Sequence, residues 1–423
     1  MLHGISSLNG ISVSDSEPLT CQDFIGLPEQ TLKQQNSGTH RVRRLEETLP
    51  IAQCAAQLAG MSRLTDLTGL DCLGIPVFSS IRPQAETNNL TITGGKGYTP
   101  VAAKISALLE AVERYCGERN NRVGLKASFA QLSQERLMLD PHSLILAQDH
   151  NYHHNADIEW WPARDLLSDE VILVPAAAIL HPYNSRLNLF NSSSNGLACG
   201  NSLPEAVLHG LLEVIERDAT SFGEALLEGP ILELDSLTDV SCTKMVQKLK
   251  SAGLQTQVRI FTTEIGIPTF YAIIDDTNRR DPMLINGGFG CHLDPCVGLS
   301  RALTEAALSR ATVIAGARDD LDREQIKREI GYDTFKSQFS DWFNPQKPTV
   351  RLEQFPNLST ENITEDICFL LNKLKQARFE RVLAVDLSIP DINFAVVRVV
   401  VPGAELNHIQ PNRLGLRLRK RLT

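Results

Sequence analysis

One construction occurs three times in this 423-residue chain, and it restricts the fold more than any other feature. A glycine-rich segment leads into a helix-patterned run that carries glutamates and arginines among apolar residues. The copies read GGKGYTPVAAKISALLEAVERY (Gly94–Tyr115), SNGLACGNSLPEAVLHGLLEVIERDA (Ser194–Ala219) and GGFGCHLDPCVGLSRALTEAALSR (Gly287–Arg310). Related segments spread through the middle of a chain point to one large domain built by internal duplication. Around them, helical spacing runs from Thr48 to Gly60, and residues 126–150 read as helix and then loop. Residues 62–83, 170–180, 257–276 and 381–403 alternate like strands and turns, and residues 325–378 are amphipathic. The class is therefore α/β (α+β): repeated Gly-loop/helix units packed on mixed β-sheets.

Helical spacing puts the polar residues of each copy on one face. Ser106, Glu110 and Glu113 share a face, as do Glu205, His209, Glu213 and Glu216, and as do Arg301 and Glu305. A single Glu/Arg helix is ordinarily a solvated ion-pair pattern. Here LLEAVER and LLEVIER are near copies, and apolar residues flank each glutamate. Carboxylates one turn apart in a buried setting cannot all ionise, because each raises the pKa of the next. A divalent cation removes that conflict. Mg²⁺ shares octahedral oxygen ligands among a few carboxylates, waters and phosphates, so Glu110/Glu113 and Glu213/Glu216 are candidate ligand pairs. Gly95 and Gly97 flank Lys96 ahead of a helix, where backbone amides can approach phosphate oxygens. The segment is neither a Walker A loop nor a GxGxxG fingerprint, and taken alone it reads as a plain turn.

Net charge is −9, from 41 basic and 50 acidic residues, which argues against nucleic acid as a partner. The basic end RLGLRLRKRLT is expected to be a solvated tail. Nine cysteines without a CxxC pair read as reduced thiols, and Cys291 and Cys296 are too loosely spaced for a zinc knuckle. MLHGISSLNGIS has no charged region followed by an apolar run, so a cytoplasmic chain with no membrane span is expected. His150, His153 and His154 lie in the polar HNYHHN and read as an exposed loop rather than a metal site. Cys199 reads as a small residue filling a tight turn rather than a sulfur relay, and Trp160 and Trp161 as strand or core residues.

Four stretches together resemble the YcaO family: SRLTDLTGLDCLGIPVFSSIRP, GKGYTPVAAKISALLEAVERY, SNGLACGNSLPEAVLHGLLEVIERD and RALTEAALSRATVIAGARDDL. The resemblance implies a YcaO ATP-binding catalytic domain over 39–403, between a polar arm (1–38) and a basic tail (404–423). It implies an enzyme that uses ATP and Mg²⁺ to phosphorylate a peptide backbone amide oxygen. A nucleophile then adds to the carbon. A Cys, Ser or Thr side chain gives an azoline, a sulfide source a thioamide, and an amine an amidine. Carried over by motif, Arg41, Thr48, Ser106, Glu110, Asn201, Glu205, Glu213 and Arg301 are implied nucleotide-pocket residues, with Arg43 and Arg44 as alternatives to Arg41. Glu110, Glu113, Glu213 and Glu216 are the implied Mg²⁺ ligands, and Arg217 neutralises phosphate charge. Glu110, Glu213, Arg217 and Arg301 carry the catalytic step. Azoline-forming members commonly end in a PxPxP tail, whereas this chain ends LRLRKRLT. The reading therefore leans to thioamide formation with a separate partner protein, TfuA-type or leader-binding, and a peptide or protein substrate. Homodimers are common among such domains. A small-molecule carboxylate or amide ligase and a non-catalytic nucleotide- or peptide-binding scaffold are the competing readings.

Overall fold

In the computed structural model, which describes residues 28, 30–36, 38–185, 187–321, 325–343 and 347–423, each repeated segment is a strand followed by a helix. Helix α1 (Leu45–Leu58) precedes the repeats, whose helices are α2 (Pro100–Gly117), α3 (Leu203–Leu226) and α4 (Pro295–Ala315). All three repeat helices begin the same way. Thr99, Ser202 and Asp294 are N-caps whose side-chain oxygens accept backbone N–H groups of the first turn, and Pro100, Pro204 and Pro295 fall in the first two helical positions. Such caps satisfy otherwise orphaned donors, and proline there loses no helical hydrogen bond.

The glycines differ from the expected turn. They lie in or beside the strands Ile92–Lys96, Leu197–Gly200 and Asn286–Cys291. A Cβ on Gly95 would sit 2.0 Å from the backbone nitrogen of Ala107, and one on Gly290 would sit 2.0 Å from the carbonyl of Gly298. These residues let strand and helix backbones touch, which no side chain permits.

Each repeat strand is the edge strand of its own sheet. Ile92–Lys96 ends the antiparallel order Arg63–Asp66, Val77–Ile81, Ile92–Lys96. Leu197–Gly200 ends a six-stranded sheet ordered Leu125–Ser128, Asp157–Asp165, Leu383–Asp386, Ala395–Val400, Leu197–Gly200, with Val171–Pro175 also paired to Asp157–Asp165. Asn286–Cys291 ends a sheet that continues through Thr269–Asp275, Gln255–Phe261, Ile231–Leu232 and Thr349–Val350, the last pair parallel. Every repeat helix packs on its own strand and on the edge strand of another repeat: α2 on Leu197–Gly200, α3 on Asn286–Cys291, α4 on Ile92–Lys96. The three units thus close a ring.

Period-two alternation fills both faces of the six-stranded sheet. Leu383, Val385 and Val396 face α1 and α2, while Ala384, Val397 and Val399 face α3 and the helix Ile363–Gln376. The helix Val240–Ser251 packs with α4 on the five-stranded sheet. Trp160 and Trp161 are buried strand residues, as expected.

Two expectations fail. Residues 126–150 form a strand end, a four-residue helix (Phe129–Leu132) and a 3-10 turn (Pro141–Leu144), because Ser128 and Asp140 each cap a new start. The basic C-terminal stretch is also not a solvated tail. Arg413 and Leu418 are buried, and the helix Leu416–Leu422 docks on α3 through Arg417 and the buried Asp218. Basic side chains meet acidic ones there, so the run packs instead of repelling itself. Most of the expected arm 1–38 lies outside the described residues. Within the described part, Lys33 pairs with buried Asp366. Among the described residues no helix is long and apolar enough to cross a membrane.

Candidate active site

The ring encloses a cleft of about 380 Å³. Its walls are the inner faces of α2, α3 and α4, and α1 with the residues before it supplies Arg41 and Thr48. Counting from each N-cap exposes a common layout. Seven residues on stand Ser106, His209 and Arg301; eleven on, Glu110, Glu213 and Glu305; fourteen on, Glu113, Glu216 and Leu308. All nine side chains line the cleft. Two of the last trio lock the ring. Glu113 accepts the backbone N–H of Cys199 at 3.1 Å, and Glu216 that of Cys291 at 2.9 Å. In the third unit Leu308 takes this place and packs against Gly94.

The carboxylates are too crowded to ionise together. Burial raises Glu113 well above the ordinary carboxylate range, and Glu110 and Glu213 add to the shift. Burial likewise pushes Glu213 up to about 7 against the pull of Arg217, with Glu216 and Glu110 reinforcing the rise. Burial also acts on Glu305, but Lys96 and Arg217 outweigh it and hold that group low, and Lys96 forms an ion pair with it. Arg114 donates to Glu110 at 2.9 Å. Arg301 Nη1 lies 3.2 Å from His209 Nδ1. Because a guanidinium only donates, Nδ1 is the bare acceptor and the His209 proton sits on Nε2. Burial and the nearby Arg301, Arg41 and Lys96 hold His209 neutral.

At the other end of the cleft Thr48 Oγ1 lies 3.1 Å from Asn201 Oδ1. Glu205 does not line the cleft. It sits behind the wall, accepting from the Asn201 amide at 3.0 Å and from the Val42 backbone at 2.9 Å, with Arg41 at 3.7 Å. Of the competing early arginines, Arg41 lines the cleft, Arg43 reaches Asn201 at 3.5 Å, and Arg44 is exposed. The other sequence-derived candidates, Ser106, Glu110, Glu113, Asn201, Glu213, Glu216, Arg217 and Arg301, all meet in the cleft. Glu305 was missing from that set. Its signal was its distance from the cap, which matches Glu110 and Glu213. Cys199 also lines the cleft, where burial, with Glu113 beside it, holds the thiol protonated and so a weak nucleophile.

The cleft thus gathers crowded carboxylates together with Arg41, Lys96, Arg217 and Arg301. Residues 94–405 match the family model described as YcaO cyclodehydratase, ATP- and Mg²⁺-binding. The chain belongs to the YcaO family. YcaO relatives include an uncharacterized protein of Methanothermobacter thermautotrophicus, 42% identical over 381 residues, covering 89% of this chain and 98% of that one. Another, from Rhizobium leguminosarum bv. trifolii, is named only as an uncharacterized protein in the tfuA 3′ region; it is 34% identical over 82% of this chain and 84% of its own length. A YcaO from Methanopyrus kandleri, solved with AMPPCP and Mg²⁺, superposes with a TM-score of 0.75 at 25% identity over 91% of this chain and 98% of that one.

Proposed function

We propose that this YcaO protein binds ATP with Mg²⁺ in the three-helix cleft and phosphorylates the oxygen of a peptide backbone amide, preparing the carbon for attack by sulfide and so for thioamide formation. The observation that carries the reading is that Glu110, Glu213 and Glu305, at matching positions of the three repeats, line one cleft with Glu113, Glu216, Lys96, Arg217 and Arg301. Bound Mg²⁺–ATP supplies the phosphoryl group and the positive charge the carboxylates require. Glu110, Glu113, Glu213 and Glu216 are the metal-holding residues in this account, and Glu305 joins them. Glu113 and Glu216 each anchor one oxygen on a strand N–H, which fixes the carboxylate plane. Arg217, Arg301 and Lys96 donate to phosphate oxygens, and His209 offers its Nε2–H without adding charge. Arg41, Thr48 and Asn201, steadied by Glu205, hold the nucleoside end.

The amide oxygen attacks the terminal phosphorus and ADP leaves; sulfide then adds to the carbon and phosphate leaves with the former amide oxygen. Positioning and charge neutralisation suffice for such a transfer, so no side-chain nucleophile is needed. The relative in the tfuA region favours sulfide and a separate partner protein. The family description, cyclodehydratase, favours the alternative in which a neighbouring Cys, Ser or Thr closes an azoline. An ¹⁸O-labelled amide distinguishes both from a ligase. Transfer of the label into phosphate, dependent on ATP and peptide, is the expected result; unlabelled phosphate contradicts amide phosphorylation. The mass of the peptide product then separates thioamide from azoline.

A further inference from the structure

Outside the cleft, one carboxylate oxygen stands between two imidazoles. Asp140 Oδ1 lies 3.0 Å from His142 Nδ1 and 3.2 Å from His154 Nε2, and it also accepts the His142 backbone N–H at 3.0 Å. The three ligand atoms fall within 4.8 Å of one another. A tetrahedral zinc with bonds of about 2.0–2.2 Å separates neighbouring ligand atoms by roughly 3.3 Å, so the spacing suits one ion. The rings lie half-exposed at the surface, each with a neighbour on one side. The 3-10 turn fixes His142, and Phe129 lies 4.7 Å from the ring of His154. His142 and His154 meet edge to face at 5.0 Å. A second observation points the same way. The ring of His150 lies 6.0 Å from His142, and its Nδ1 is buried with no hydrogen-bond partner; the Tyr152 ring lies 5.5 Å from His142 and 6.0 Å from His154, and its hydroxyl is likewise buried and unpartnered.

We propose that Asp140, His142 and His154 form a binding site for a zinc-class divalent transition-metal ion, with the fourth position open to water or His150. The histidines of HNYHHN therefore divide: His154 ligates, His150 stands next to the site, and two ligands come from a segment earlier in the chain. Imidazole nitrogen suits zinc, whereas Mg²⁺ selects oxygen, so ligand chemistry sorts the two metals between this site and the cleft. None of the three residues lines the cleft. The ion staples the turn at Asp140 to the chain entering strand Asp157–Asp165.

Calorimetry with Zn²⁺ under excess Mg²⁺ tests the site in wild type, His142→Gln, His154→Gln and Glu213→Gln. One zinc should bind per chain. Each histidine variant should lose affinity by roughly tenfold or more, and Glu213→Gln should bind zinc as wild type does. Equal affinity in the histidine variants, or no binding by wild type, overturns the proposal. Cobalt(II) added to wild type gives a reading independent of any substitution. An intense visible absorption that zinc displaces is expected, and a spectrum matching aqueous cobalt contradicts the site.

Discussion

Glu113 on α2 accepts the backbone N–H of Cys199 at 3.1 Å and so ties the helix of the first repeat to the edge strand of the second. The same carboxyl is pushed well above the ordinary carboxylate range, chiefly by burial and next by Glu110 and Glu213. One side chain thus closes the ring and, in the proposed function, also holds Mg²⁺.

Glutamine at this position keeps an acceptor for the Cys199 N–H, and alanine does not. Without nucleotide, Glu113→Gln should match or exceed wild-type stability, because it resembles the neutral acid. Glu113→Ala should lose about 1–3 kcal/mol for the unsatisfied donor. Denaturant melts read both. Equal losses in the two variants would contradict the anchoring role.

Glu213 gives the pH dependence. Its folded pKa is about 7 against an ordinary value of 4.5. The native state binds the proton more tightly, so this group's contribution to stability is full below pH 4.5 and is lost as pH rises through 7. The amount is on the order of 3 kcal/mol. As a proposed Mg²⁺ ligand Glu213 must be ionised, so nucleotide affinity should fall as pH drops below 7, with proton release on binding. Calorimetry in buffers of different ionisation enthalpy measures that release; its absence near pH 6 would count against Glu213 as a ligand.

Glu305 occupies the same level as Glu110 and Glu213 and pairs with Lys96. Glu305→Gln should weaken Mg²⁺–ATP by at least about tenfold, roughly 1.4 kcal/mol, with little change in melting temperature without nucleotide. Wild-type affinity in this variant would remove the third repeat from the metal site.

The repetition made much of this legible. Helical periodicity is local, so the shared faces of Glu110/Glu113 and Glu213/Glu216 could be read from spacing. What those faces meet depends on strand pairing between distant segments, which spacing does not carry. Gly95 therefore reads as a turn residue but is, like Gly290, a contact point between strand and helix, and Glu205, implied as a nucleotide-pocket residue, stands behind the wall as a support. Glu305 reads only as sharing a face with Arg301, because its unit has Leu308 in place of a second glutamate to form a ligand pair. The C-terminal run looked solvated because Asp218, Glu264 and Glu228, its partners, lie far away in sequence.

That docking makes its own prediction. Arg417 pairs with Asp218, whose side chain is 1% exposed. Arg417→Ala strands a buried charge and should cost about 3–5 kcal/mol; the double variant Arg417→Ala/Asp218→Asn should recover part of it. A negligible loss on urea denaturation would return the segment to the status of a solvated tail.

Gly95→Ala is the sharpest test of the ring. Its Cβ would lie 2.0 Å from Ala107 N and 2.5 Å from Ala103 O, both backbone atoms of α2. The variant should be destabilised by about 1–3 kcal/mol or more. A wild-type melting curve would mean that strand and helix do not touch as described.

Titration of Mg²⁺–ATP into wild type, Glu110→Gln and Glu213→Gln by calorimetry tests the central claim most directly. Binding by wild type that requires Mg²⁺ and disappears in both folded variants is the predicted result. Unchanged nucleotide affinity in both variants would contradict the assignment of this cleft as a metal–nucleotide site.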